Sequence, residues 1–161
     1  DMLRRAKKTV VTVGVTGKIV TGSHGIPVTA DITQDEMQLN DELEMIVLPG
    51  GMPGTLNEEA SEQVQAAITY CAEHDRYLTA ICAAPSILGH RGLLQDKHAV
   101  CYPGFESALT GAIVGTDGVV RDGKYITARG AGVAVAFGLA LVAALCGTEK
   151  SEEIRQAIID V

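Results

Sequence analysis

The stretch Tyr77-Leu78-Thr79-Ala80-Ile81-Cys82-Ala83-Ala84-Pro85-Ser86-Ile87-Leu88-Gly89-His90 reads as a buried strand that turns directly into a helix at Cys82. Residues 77–81 are apolar, aromatic or β-branched and suit a core strand. Ala80, Ala83 and Ala84 leave room for a sharp turn, and Pro85 suits an early helical position, where its missing N–H costs nothing. A cysteine at such a corner occupies the position of a nucleophile elbow. The positive end of a helix dipole and the free N–H groups of a first turn favour a negatively charged sulfur, which is nucleophilic and oxidisable. The same residues also fit a buried cysteine acting as a small hydrophobe, and this segment alone leaves both readings open.

Outward from the elbow, strands alternate with helices. Thr9 to Val15 is β-branched and predicts a strand; Lys18 to Val20 and Pro27 to Ala30 predict short extended pieces around the turn Gly22-Ser23-His24-Gly25. Residues 31–44 are polar and predict a loop with at most one helical turn. Met45-Ile46-Val47-Leu48 predicts a buried strand closed by Pro49-Gly50-Gly51. Asn57 or Ser61 can cap a helix running through His74, with Val64, Ala67, Ile68 and Cys71 on one apolar face. His98 to Cys101 predicts a strand, and Asp122-Gly123 between two β-rich runs predicts a hairpin. Helices are expected from about Gly132 to Cys146 and from Ser151 to Ile159. This alternation, with near-continuous apolar strands, predicts an α/β fold whose mostly parallel sheet is covered by helices on both faces. At 161 residues, without repeats or linkers, the chain reads as a single domain over 1–161.

Composition narrows the function. A formal charge of −7 and 4% aromatic residues argue against a nucleic-acid groove, which needs a basic stripe or stacking platforms. Cys71, Cys82, Cys101 and Cys146 form no CxxC pair and match no zinc spacing, so no metal is expected and free thiols in a reducing cytoplasm are the economical reading. The apolar run from Ala131 to Cys146 is short for a bilayer and rich in Gly and Ala, so it predicts a buried helix rather than a membrane span. No signal-peptide pattern is present in the first residues.

Sites in open parallel sheets form at the C-terminal ends of strands. Pro49-Gly50-Gly51, Cys82-Ala83 and Cys101-Tyr102-Pro103 all fall at such ends. The double glycine lets backbone approach a ligand, and with the Ala83 N–H it can hold an oxyanion near the sulfur. A simple turn explains the glycines taken alone; their coincidence with the elbow favours the site. No histidine is well placed as a base: His98 starts its strand, roughly 13 Å from Tyr102 at the other end. His90 lies roughly 12 Å along the helix from Cys82. His24 and His74 suit solvated positions. Tyr102 is the better candidate for a polar group over the thiol, with a packed tyrosine as the alternative.

Together, Val47-Leu48-Pro49-Gly50-Gly51, Ala80-Ile81-Cys82-Ala83-Ala84-Pro85, and Thr127-Ala128-Arg129-Gly130 with the Gly/Ala-rich helix that ends Ala144-Leu145-Cys146-Gly147 resemble the ThiJ/PfpI superfamily. Within it, the resemblance is to the DJ-one branch of the Parkinson-associated deglycase. The resemblance covers essentially the whole chain. It implies a flavodoxin-like three-layer sandwich, a homodimer and a reactive cysteine on the elbow. It also implies cofactor-independent glyoxalase or deglycase activity and oxidative-stress sensing through a cysteine sulfinate. By resemblance Cys82 takes the nucleophile position, Gly51 an oxyanion-binding position, and Tyr102 stands where several members have histidine. The protease-like branch has histidine directly after the cysteine, where this chain has Ala83, which disfavours peptidase activity.

The family's first strand, and the glutamate on the loop after it that hydrogen-bonds the cysteine, have no counterpart in these residues. Neither Glu44 nor Glu106 takes that role on motif grounds, so the strand and the acid–base group are expected from a segment upstream of Asp1, whether cleaved, supplied by another chain or lying outside these residues, and turnover is expected to depend on it. The expected function is thus cysteine-dependent conversion of methylglyoxal-like dicarbonyls or their adducts. The alternative is a non-enzymatic oxidative-stress sensor or chaperone that uses oxidation of Cys82. The expected partners are a small carbonyl substrate and a second copy, with no nucleic acid and no membrane. Mild peroxide is expected to leave Cys82 as a sulfinate, with a Cys82–Cys101 disulfide as the competing outcome.

Overall fold

A computed structural model describes residues 1–160. The chain enters through a short helix, α1 (Met2–Arg5), and then forms β1 (Val13–Gly14), the antiparallel hairpin of β2 (Ile19–Thr21) and β3 (Pro27–Thr29), and β4 (Ile32–Thr33), which pairs in parallel with β1. There follow β5 (Met45–Leu48), α2 (Gly54–Ala60), α3 (Glu62–Glu73), β6 (Tyr77–Ile81) and α4 (Pro85–His90). The remainder comprises β7 (His98–Ala99), β8 (Ile113–Val114), the hairpin β9 (Val119–Asp122) and β10 (Tyr125–Ala128), α5 (Ala134–Cys146) and α6 (Thr148–Ala157). No helix among the described residues is long and apolar enough to cross a membrane.

The main sheet runs β5-β6-β10-β9. β5 and β10 flank β6 in parallel, with Leu48 opposite Ala80 and Ala128 opposite Ile81, and β9 closes the far edge antiparallel to β10. Alternation along β6 sends Leu78 and Ala80 into one core with Val64, Ile68 and Cys71 of α3 and Ile87 and Leu88 of α4. Tyr77 and Ile81 point the other way, onto Ile126, Ala128, Phe137 and Leu141. Period-2 side-chain direction therefore puts an apolar layer on each face, which is the three-layer α/β sandwich expected from the sequence. β5 is the free edge of this sheet, and Val47 on it is 39% exposed.

Several elements differ from the sequence reading for local reasons. The strand expected over Thr9 to Val15 contracts to Val13–Gly14, because the Asp31 carboxylate accepts both the N–H and the hydroxyl of Thr12. Residues 31–44 contain, besides a 3-10 turn at Gln34–Glu36, the short strand β4; a capping box of Thr33 and Glu36 fixes that junction. Of the two caps expected for the helix through His74, Ser61 is the one used, and Asn57 lies instead inside a separate helix, α2. Ser61 Oγ accepts the Val64 N–H and caps α3, while α2 starts earlier, at Gly54. The strand expected to reach Cys101 ends at Ala99, since the Val100 N–H donates to the Thr127 side-chain hydroxyl of β10 instead of to a backbone carbonyl.

One buried group went unnoticed in the sequence. Glu58, on α2, is 8% exposed, and its Oε2 has no hydrogen-bond partner among the described residues. Burial holds its carboxyl up to about 8, against an ordinary value of 4.5. The folded chain therefore keeps a proton that the unfolded chain has lost, and the stability it confers drains away as pH rises from 4.5 to about 8. The slope is at most about 1.4 kcal/mol per pH unit. Urea denaturation of Glu58→Gln against the parent chain should show an advantage for Gln that widens between pH 5 and pH 8 and is flat above; an advantage independent of pH would remove the buried acid from this account.

Candidate functional site

Cys82 follows the last residue of β6 and adopts φ 66°, the left-handed region that side-chain-bearing residues seldom occupy. Two backbone hydrogen bonds hold it there. Its N–H donates to the Ala128 carbonyl of β10 at 2.9 Å, and its carbonyl accepts the Tyr102 N–H at 2.8 Å. The Ala84 N–H closes the turn onto the Ile81 carbonyl, and Pro85 stands at the start of α4. This is the sharp corner the small residues anticipated. The helix begins at Pro85 rather than at the cysteine and has six residues, so the donors beside the sulfur are chiefly the amides of the turn itself. The Cys82 side chain is half-buried.

Gly50 explains why the loop after β5 meets the elbow. A Cβ there would strike the Ile81 carbonyl oxygen and lie 2.6 Å from Cys82 Cβ and 3.0 Å from the Ala83 nitrogen. Gly51 is required for a different reason: its φ of 102° suits glycine alone, while the space beside it is open. The Gly51 carbonyl is tied to α2 by the Thr55 N–H and hydroxyl. The Gly51 and Ala83 N–H groups, by contrast, donate to no acceptor among the described residues, although Ala83 is only 3% exposed. Paired amides are the rule in protein interiors, so these two unpaired donors stand free for an acceptor from outside the chain.

Tyr102 lies in the turn beyond β7 rather than at a strand end, and its backbone, not its side chain, makes the recorded bond to the elbow. Its ring is 50% exposed and packs beside Gly130, where a Cβ would sit 3.4 Å from it. Cys101 is buried; desolvation, helped by Glu106, pushes its thiol up to about 11. Burial does the same to Cys71. The recorded partners of the four histidines lie away from the elbow: His24 with Ser23, His74 with Tyr70, His90 with Glu59, and the His98 N–H with Asp122. Glu44 is engaged by Lys8 at the opposite end of β5, and Glu106 accepts the Gly104 N–H. The structure thus brings Cys82, Gly50, Gly51, Ala83 and Tyr102 together. Ala128 and Thr127 also organise the site, through a carbonyl and a hydroxyl, and were visible only as part of the Thr127-Ala128-Arg129-Gly130 motif. Among the described residues no group of His, Cys, Asp and Glu is arranged to hold a metal ion.

Comparison with known proteins agrees with this geometry. Residues 1–144 match the DJ-1/PfpI family. The chain is 34% identical over 161 residues to protein DJ-1 homolog B of Arabidopsis thaliana, covering 99% of this chain and 36% of that protein. It is 31% identical over 162 residues to protein dj-1beta of Drosophila melanogaster, covering 99% and 86%. It therefore spans about a third of the length of the plant relative and most of the insect one. The crystal structure of Drosophila melanogaster DJ-1beta superposes with a TM-score of 0.91 at 30% identity over 100% of this chain and 88% of that one. Two relatives carry enzyme names: an isonitrile hydratase of Pseudomonas putida, 33% identical over 84% of this chain and 59% of its own, and a deglycase of Pyrococcus abyssi, 31% identical over 69% and 67%.

Two outcomes follow from the elbow. Gly50→Ala should destabilise the fold by about 2 kcal/mol or more, because the new methyl meets backbone on both sides, as read by thermal melting; an unchanged melting temperature would show that the loop is not pressed against the turn. Under substoichiometric iodoacetamide, peptide mapping should find Cys82 alkylated before the buried Cys71 and Cys101, and labelling of either of those first would contradict the assignment.

Proposed function

We propose that this chain, which belongs to the DJ-1/PfpI family, is a cofactor-independent enzyme that uses Cys82 to convert methylglyoxal-like dicarbonyls, or their early adducts with amines and thiols. One observation carries the reading: a half-buried cysteine held in a left-handed corner beside two unpaired amides. The enzyme names borne by two relatives support a catalytic role for the fold, and one of them, a deglycase, supports this substrate class.

In the proposed reaction the Cys82 sulfur adds to the aldehyde carbon. A C–S bond forms as the C=O π pair moves to oxygen, and the Gly51 and Ala83 N–H groups hold that oxygen. Moving a proton from the former aldehyde carbon to the neighbouring ketone carbon, while the hydroxyl proton passes to the former ketone oxygen, turns the hemithioacetal into a thioester of lactate. Water then cleaves the thioester and returns the thiol. The sum is methylglyoxal plus water to lactate, an internal redox exchange that draws on no outside oxidant or reductant. The Tyr102 hydroxyl orients the second carbonyl. The proton carrier belongs to the proposal as a carboxylate on a segment that pairs along the free edge of β5, since Glu44 is engaged by Lys8 and Glu106 by the Gly104 N–H. A homodimer is proposed with it, and the β2–β3 hairpin, which presents Ile19, Ile26 and Val28 to solvent, is the face offered for it.

A redox-sensing role draws support from the same two amides, because they would also bind the oxygens of a Cys82 sulfinate. Turnover separates the readings. With the segment that supplies the carboxylate present, methylglyoxal should yield lactate; Cys82→Ser should then lower kcat/KM by about a thousandfold or more, and Tyr102→Phe by about tenfold, the scale of one lost neutral hydrogen bond. Lactate formation that survives Cys82→Ser would overturn the enzymatic reading.

A further inference from the structure

The last pair of the β6–β10 ladder sets Ile81 opposite Ala128, so one step further Arg129 stands opposite Cys82. The Cys82 N–H bound to the Ala128 carbonyl, at 2.9 Å, is the bond that parallel pairing makes at that step. Neighbouring strands run about 5 Å apart, so the arginine and the cysteine leave the sheet side by side. On the other edge of β10 the Arg129 N–H binds the Gly118 carbonyl at 2.9 Å, which carries the pairing with the chain before β9 past the strand end. Alternation along β10 then fixes the direction of the side chain. Ile126 and Ala128 enter the layer with Phe137 and Leu141 of α5, whereas Thr127 turns to the opposite face, where its hydroxyl accepts the Val100 N–H. Arg129 shares the Thr127 face, toward Cys101 and Tyr102. Two observations agree: burial and Glu106 push the Cys101 thiol up while the Arg129 charge opposes them, and Gly130, the next residue, packs beside the Tyr102 ring.

The guanidinium has no counter-charge among the described residues. It is half-buried, and its one side-chain hydrogen bond there runs from Nη1 to the Thr116 carbonyl at 3.3 Å. Lys8, Arg76 and Lys124 are half-buried too, and each rests on a carboxylate, Glu44, Asp41 and Asp75 in turn. Glu106, the carboxylate on the Cys101 side, accepts the Gly104 N–H instead. A planar fork of five donors with one in use matches a carboxylate, which it can hold by two parallel bonds. Taking a cation out of water with no anion beside it is costly, so a carboxylate arriving there is favoured.

We propose that Arg129 sets the charge preference of the Cys82 site: the substrate is an α-oxoaldehyde that bears a carboxylate at its far end, which the guanidinium holds while the sulfur adds to the aldehyde. The inference rests on Cys82 as the reacting atom and deepens the dicarbonyl reading by naming the substrate class. The carboxylate takes no part in bond making. Thiol addition, proton movement and hydrolysis proceed as for methylglyoxal, and the product is an α-hydroxy diacid in place of lactate.

Alkylation of Cys82 tests this without turnover, so an absence of lactate formation, which would sink the enzymatic reading, leaves the test intact. Iodoacetate and iodoacetamide are close in size and both lose iodide to the sulfur, but only the first is an anion. Peptide mapping gives the ratio of their rates at Cys82. Arg129→Gln should lower the iodoacetate-to-iodoacetamide ratio by about tenfold or more, the scale of one lost charge-assisted hydrogen bond. Arg129→Lys should lower it less, and Arg129→Glu more. The parent chain alone supplies a second measurement, independent of whether any variant folds. Raising sodium chloride from about 10 mM to about 0.1 M shortens the Debye length from about 30 Å to about 10 Å. The ratio should fall, because the attraction is screened; a chain of charge −7 that only repelled the anion would show a rise. Finally, an α-oxoaldehyde with a carboxyethyl group in place of methyl should protect Cys82 from iodoacetamide at about tenfold lower concentration than methylglyoxal, and Arg129→Gln should erase that difference. A ratio equal in the parent and in Arg129→Gln, a ratio that rises with salt, or equal protection by the two aldehydes in the parent would overturn the proposal. A Cys82 inert to both reagents would remove the reacting atom, and with it both this inference and the enzymatic reading.

Discussion

The site depends on one residue being held by both its backbone groups. Cys82 takes a conformation that costs of order 1–3 kcal/mol for a side-chain-bearing residue. It stays there because its N–H is bound to β10 and its carbonyl to the Tyr102 amide. Those two bonds reach into separate parts of the chain, so the corner forms only after β6, β10 and the turn beyond β7 are in place. The backbone geometry of Cys82 is thus a consequence of the assembled sheet rather than of the local sequence around the cysteine.

The surrounding fold is arranged so that this strain is affordable. β6 is one of the two interior strands, paired on both sides, and it sends Leu78 and Ala80 into one core and Ile81 into the other. A corner at the end of such a strand cannot relax without disturbing pairing on two edges. Gly50 adds a third restraint, because its backbone rests against Ile81, Cys82 and Ala83 at a separation that no side chain permits. The same closeness leaves the Ala83 N–H enclosed yet unpaired, which converts a packing constraint into a binding group.

The parts that sequence made legible are those governed by local rules. β5 and β6 have the expected residues, Asp122-Gly123 does connect an antiparallel pair, and Val64, Ala67, Ile68 and Cys71 are the buried face of α3. The corner at Cys82 was legible too, because small residues and Pro85 leave few alternatives. What escaped the sequence was set by distant partners: Thr12 turning to Asp31 and Val100 to Thr127. Glu58 was missed because α2 starts at Gly54, ahead of either expected cap, so its buried face was not read. The Glu59–His90 pair joins two helices and has no signature at all along the chain.

The account stands or falls on the two amides beside the sulfur. Backbone ¹⁵N-labelled protein, followed by NMR as peroxide converts Cys82 to the sulfinate, measures them directly. Hydrogen bonds to the new oxygens should move the Gly51 and Ala83 amide protons downfield and slow their exchange with solvent, with smaller changes at neighbouring amides. Sulfinate formation confirmed by intact mass, with both of those amides unmoved, would contradict the claim that this corner is built to hold an anionic oxygen.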